Sequence, residues 1–152
     1  MKYLNILAPA LGLMAGVSAI PLEERQAVQT VHLTFHAGPA EYSLALPADG
    51  SVHQTNHPDL AINIIDAPDY NAYPQCHFTT ASGAVVTLAS SISPEGNGQI
   101  LVGPPTPIVS VSCEGMCVPT YGDCYGHDGQ WIGPCCNGYC AADKCRPWKS
   151  PY

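Results

Sequence analysis

Two cysteines stand side by side in "PCCNGYC", residues 134–140, and five more lie around them between Cys113 and Cys145. Neighbouring cysteines can hardly bond each other, because the closed ring would force a strained peptide between them. Cys135 and Cys136 therefore need different partners, and those partners pull the chain from opposite sides. Any fold for this segment has to let two bridges diverge from one point.

The composition around them explains why bridges are needed. Residues 114–152 are rich in Gly and Pro and lack the aliphatic side chains for a core. Chains below about 40 residues usually need disulfides or metals to fold. Zinc is the rival use of clustered cysteines, but it expects a paired C-x2-C, which is missing here. The start of the chain, "MKYLNILAPALGLMAGVSA", favours disulfides. One Lys, an apolar stretch from Leu4 to Val17 and the small residues Val17-Ser18-Ala19 read as a secretory signal cut after Ala19. The stretch is shorter than the roughly 20 residues of a spanning helix. Residues 20–25 then read either as a pro-segment removed after Arg25 or as a loose terminal tail. Short segments ending in Arg before a Gln resemble the pro-segments of some fungal secreted proteins.

From Cys117 the spacing is Cys117-x6-Cys124-x10-Cys135-Cys136-x3-Cys140-x4-Cys145. Six cysteines allow fifteen connectivities, and spacing alone does not choose among them. With its third and fourth cysteines adjacent, the pattern resembles the inhibitor cystine knot, or knottin, family. The resemblance implies the pairs Cys117–Cys136, Cys124–Cys140 and Cys135–Cys145, with the third bridge threading the ring made by the others. It covers only residues 117–145, and the loop "YGHDGQWIGP" is longer than in many knottins. On that reading Cys76 and Cys113 remain, and an even count predicts that they pair. The competing assignment recruits Cys113 to the knot and leaves another knot cysteine unpaired. More loosely, "VGPPTPIVSVSCEGMCVPTYGDC" and "CCNGYCAADKCRPW" resemble small secreted cysteine-rich proteins of filamentous fungi, some of which are effectors acting on a plant host.

The preceding stretch, 26–113, differs in kind. "QTVHLTFH" alternates Val31, Leu33 and Phe35 against Thr30, His32, Thr34 and His36, a period of two. "EYSLALP", "LAINII", "CHFTTA", "AVVTLAS", "QILVG" and "IVSVSC" continue the series, separated by turn-forming "HAGPA", "PADGS", "DAPDYNAYP" and "SPEGNG". Short strands at regular spacing predict an all-β fold, an antiparallel β-sandwich or barrel, followed by the knottin at 114–152.

Charge works by exclusion. Between Arg25 and Lys144 there is no Lys or Arg, so the basic footprint that nucleic acid or anionic lipid needs is missing. Neither partner is expected. His32 and His36, like His53 and His57, are four apart; on a strand that is about 13 Å, too far to share an ion. The loop-like "HQTNHP" escapes that argument, but no metal or other cofactor is expected. Asp66 and Asp69 in "DAPD" suggest an acid pair, although a turn is the commoner reason for such a run. No G-x-S-x-G or H-E-x-x-H occurs, and no catalytic residue is assigned.

The candidate binding residues are aromatic: Tyr121, Tyr125, Trp131 and Tyr139 on the knot loops, with Trp148 and Tyr152 in the tail. A module this small cannot bury them all, and exposed aromatics on a rigid frame suit a protein hot spot or a sugar-stacking platform. The expectation is a secreted, non-enzymatic binding protein, effector-like or inhibitory, that engages an extracellular host protein such as a protease or receptor. The alternative partner is a cell-wall glycan such as chitin, since hevein-like modules also combine adjacent cysteines with aromatics, though with wider spacing after the pair. A third reading inserts the tail, ending Pro151-Tyr152, into a carboxypeptidase.

Overall fold

Alternation decides the first hairpin. In the computed structural model, which describes residues 27–81 and 84–149, β1 (Thr30–Ala37) pairs antiparallel with β2 (Ala40–Pro47). Val31, Leu33 and Phe35 point inward and are buried, as their period of two requires. The connecting Gly38 takes φ 64°, a left-handed conformation that glycine adopts without steric cost. The proposed signal peptide, the pro-segment, Gln26 and Tyr152 lie outside the described residues.

Three more strands complete this sheet: β4 (Ile62–Ala67), β7 (Gly98–Thr106) and β6 (Thr87–Ile92), in the order β2-β1-β4-β7-β6, every neighbouring pair antiparallel. Between Ile64↔Leu101 and Ile62↔Thr106 the β4–β7 register shifts. Pro104 and Pro105 sit inside that irregularity, where no ladder hydrogen bond is asked of them. A second sheet places β8 (Ile108–Cys113) between β3 (His53–Gln54) and β5 (Cys76–Thr80). Both sheets feed one core. Leu33, Phe35, Ile65 and Ile100 of the first share it with Phe78, Ile108 and Val111 of the second, and the rings of Phe35 and Phe78 meet edge-on at 6.3 Å.

The chain is thus all-β with antiparallel sheets and four disulfides. Two details differ from the sequence expectation. The run "DAPDYNAYP" is not all turn: Asp66 belongs to β4, and residues Ala72–Gln75 form the single helical turn α1. The loop-like "HQTNHP" contributes β3, whose one pairing partner among the described residues is β8, more than fifty residues on. Local propensity carries no record of so distant a partner.

Beyond Glu114, order comes from sulfur. Cys76 and Cys113 face each other across β5 and β8 and are bonded, and the later bridges join Cys117–Cys136, Cys124–Cys140 and Cys135–Cys145. The sulfurs of Cys124, Cys135 and Cys145 lie within 4.8 Å of one another, so two bridges touch at the centre of the segment. Its small second core is Val118 with Cys124, Cys135 and Cys145. One further hairpin, β9 (Tyr139–Ala141) with β10 (Lys144–Arg146), frames the last two loops. Gly138, at φ 142°, leads into it, and a β-carbon there would collide with the Arg146 carbonyl.

The segment is fastened to the sheets. Cys117 and Cys136 are buried in the main core. The Gln29 amide clamps Cys117, its Nε2 donating to the Cys117 carbonyl and its Oε1 accepting from the Cys117 N–H, both at 2.8 Å. Residues 114–116 are tied in turn: Glu114 N–H donates to the Gln75 carbonyl, Tyr70 hydroxyl to Gly115 and Gln75 Nε2 to Met116. Removing the clamp strands a buried N–H, which costs about 1–3 kcal/mol. Gln29→Ala should lower unfolding free energy by that amount in denaturant titration and speed proteolysis at 114–116. A loss below about 0.5 kcal/mol would show that water replaces the amide without penalty.

Candidate binding surface

The loop after Cys124 is built to hold two rings outward. Tyr125 and Trp131 face each other as an isolated antiparallel bridge, closed by Gly126 N–H to the Gln130 carbonyl at 2.8 Å. Gly129, at φ 77°, turns the tip, and Ile132 N–H returns to the Cys124 carbonyl at 2.9 Å. Both ends of the loop are thereby anchored close to the disulfides. The rings of Tyr125 and Trp131 meet edge-to-face at 5.0 Å and 68°, which fixes each by the other. Trp131 keeps 52% of its surface exposed, and Ile132 beside it is exposed as well. Ile132 was not among the sequence candidates; its neighbour Trp131 was the only signal available.

The other aromatics divide into separate sites. Tyr121 projects from a backbone at φ 69°, held by its N–H donating to the Cys145 carbonyl at 2.8 Å, and it is 55% exposed. Tyr139 and Trp148 pack on one another at 5.7 Å with a 36° tilt. Trp148 also closes a cavity of about 70 Å³ lined by Tyr70, Ala72, Tyr73, Ile100 and Cys136. It is therefore half anchor, half surface.

Beside Tyr125 runs an open groove of about 660 Å³ between this loop and the β9–β10 turn, lined by Asp123, His127, Asp143 and Lys144. Ala142 and Asp143 form the turn with positive φ values of 50° and 60°. Lys144 Nζ lies 2.5 Å from Asp123 Oδ1. That hydrogen bond and charge hold the Asp123 carboxyl below its ordinary value.

The histidines and acids of the β-rich part pair with each other. His32 Nδ1 meets Asp69 Oδ2 at 2.5 Å, and its backbone N–H donates to Asp69 Oδ1 at 3.1 Å. His36 lies between Asp66, 2.8 Å from Nε2, and Glu41, 3.2 Å from Nδ1. Both nitrogens can donate only when the ring carries its second proton. His32 and His36 thus share a sheet face but not a ligand. His53 contacts the Ser51 hydroxyl, whereas His57 stacks on Tyr42 at 4.1 Å, so "HQTNHP" brings no second histidine pair together. The clustered Cys124, Cys135 and Cys145 sulfurs are all engaged in disulfides and offer no thiolate to a metal.

No protein-family model, curated protein or solved structure matches the chain. Among the described residues no helix is long and apolar enough to cross a membrane. Four disulfides suit an oxidising, extracellular-type environment.

The Asp123–Lys144 pair gives this surface a measurable signature. A carboxyl depressed in the folded state adds stability above the ordinary carboxylate range, and that contribution is lost as pH falls through the folded value. NMR titration should find the Asp123 midpoint below its normal range, and Lys144→Met should move it up. An unchanged midpoint in the variant would assign the depression to other neighbours.

Proposed function

We propose that this protein is a secreted, non-enzymatic binding protein: two β-sheets closed on one core as a sandwich, carrying a knottin whose loops engage an extracellular protein. A host-directed, effector-like or inhibitory role of the kind found among small fungal secreted proteins is the setting this reading favours. The observation that carries it is the Tyr125–Trp131 pair, exposed yet held at 5.0 Å on a loop rooted in disulfides. Rings already fixed lose little conformational freedom on binding, which is how preorganisation raises affinity. Exposed Trp and Tyr are also the side chains that most often dominate protein interfaces.

A glycan platform finds less support. Sugar stacking favours open, roughly parallel faces, whereas the two pairs here are inclined by 68° and 36°. Carboxypeptidase inhibition by the tail also finds less support. Arg146 is in β10, Trp148 closes a cavity, and Lys149 Nζ donates to the Pro94 carbonyl at 2.9 Å. Little of the tail before Ser150 is left to reach into another protein.

The test is capture from host extracellular fluid by the wild type, identification of the retained protein, and titration of that purified protein. A hot-spot aromatic is worth about 2 kcal/mol or more, so Trp131→Ala should weaken binding about 30-fold. Tyr121→Ala, on a separate part of the surface, should change affinity far less. Equal affinity of wild type and Trp131→Ala would remove the loop from the interface and with it this reading.

A further inference from the structure

Alternation puts a polar row on the outer face of the five-stranded sheet. Val31, Leu33 and Phe35 are buried, so His36 faces the other way, together with its cross-strand partner Glu41 on β2. Asp66 of β4 lies opposite Thr34 and Gln99, which makes it a diagonal neighbour of His36. The β4–β7 irregularity between Ile62 and Ile64 falls at Asn63, and a register shift of this kind re-aims a side chain. Asn63 lines an open cavity of about 280 Å³ with His36, Asp66, Glu95 and Gln99. These residues come from segments far apart in the chain, so nothing in local spacing points to the cavity.

Acceptors outnumber donors around His36. Glu41 Oε2 is 3.2 Å from its Nδ1, and Asp66 Oδ2 is 2.8 Å from its Nε2. When a neutral imidazole donates Nδ1–H to Glu41, its Nε2 lone pair faces a carboxylate oxygen. The two repel unless something positive stands between them. Asp66 Oδ1 and Asn63 Oδ1 are shielded from solvent and receive no hydrogen bond. A buried acceptor left without a partner costs free energy. Residues 26–143 contain no Lys or Arg to supply that partner. Lys149 reaches this end of the sheet but donates from Nζ to the Pro94 carbonyl.

We propose that His36 Nε2, the Asp66 carboxylate and Asn63 Oδ1 are the protein ligands of a divalent first-row transition ion, with water completing its shell from the open cavity. Donors 2.8 Å apart, each about 2.1 Å from an ion, subtend about 84°. That is near the right angle of an octahedral site and short of the tetrahedral angle. Glu41, on the other ring nitrogen, orients the imidazole, as carboxylates do for metal-bound histidines. The ion gives the shielded oxygens the positive partner they lack. Its two charges balance the carboxylates of Glu41 and Asp66, which a second proton on His36 would balance only by half. The nitrogen ligand selects against Mg2+ and Ca2+, which take oxygen. The site belongs to the sheets, uses none of the loop aromatics and stands apart from the binding role proposed above.

Mn2+ titration of the disulfide-bonded protein near neutral pH tests this. Electron paramagnetic resonance reads the affinity, and paramagnetic broadening of amide signals reads the place. The wild type should bind with broadening centred on His36, Asn63 and Asp66. Zn2+ should displace Mn2+ at a lower concentration than Mg2+ does, because imidazole suits zinc. His36→Gln removes the nitrogen ligand and Asp66→Asn a charge, and each should weaken binding about tenfold or more. Asp143→Asn, in the disulfide-rich segment, should leave it unchanged. Unaltered near-UV circular dichroism will show that the variants are folded, and the wild-type broadening map and displacement order decide the matter without them. No binding at millimolar Mn2+, broadening centred on other carboxylates, or displacement by Mg2+ as readily as by Zn2+ would each overturn the proposal. So would a folded His36→Gln that binds like the wild type.

Discussion

The Cys117–Cys136 bridge belongs to two structures at once. Its sulfurs are buried in the core shared by the sheets, while its backbone opens and closes the first loop of the disulfide-rich segment. Segment and sheets therefore meet at a covalent bond inside an apolar environment, and not along a loose strand of chain. The Gln29 clamp satisfies the buried Cys117 N–H and carbonyl at that junction. On the far side Asn137 receives the Gly98 N–H and donates to Asn97. These polar contacts give the docking a single register, which burial of sulfur alone would leave undetermined.

Two stabilising principles divide the chain around that bridge. Up to Cys113 the fold depends on aliphatic and aromatic burial between sheets. After it, apolar burial is little more than Val118 and half-cystines. Loops spanning 19, 16 and 10 residues are closed there instead. Each closure contributes on the order of 3 kcal/mol in the chain-entropy picture. Because sulfur supplies the order, Trp131, Tyr121 and Tyr139 are not needed inside. Their exposure follows from the mode of stabilisation, and the proposed binding role builds on it.

Local pattern made much of this readable. The alternation in "QTVHLTFH" and "EYSLALP" gives β1 and β2 to within a residue, and "IVSVSC" coincides with β8. What escaped was whatever depends on a distant partner. β3 exists because β8 passes beside it, and α1 fits its Ala72 into the core after β4 has ended. The histidine pairs are the clearest case. Asp66 and Asp69 read locally as turn residues, whereas β4 lies against β1 and brings them to His36 and His32. Among the aromatics, composition and module size showed that some must be exposed. Which rings would meet was set by the Tyr125↔Trp131 bridge and by the return of the tail, neither of them encoded in spacing.

The tail shows how the sheets limit what the disulfide-rich segment presents. Gly96, at φ 90°, leaves room for Lys149 where a β-carbon would come within 2.7 Å of the lysine side chain. Trp148 is drawn into the cavity beneath Tyr70 and Ile100, and Tyr139 follows by packing on it. One flank of the disulfide-rich segment is thus committed to its own sheets. The Tyr125–Trp131 loop springs from Cys124, whose N–H donates to the Asp143 carbonyl, and beyond that root the backbone hydrogen bonds of the loop close within residues 124–132. Docking at one side and freedom at the other leave that loop as the surface that the proposed partner would meet without displacing part of the fold.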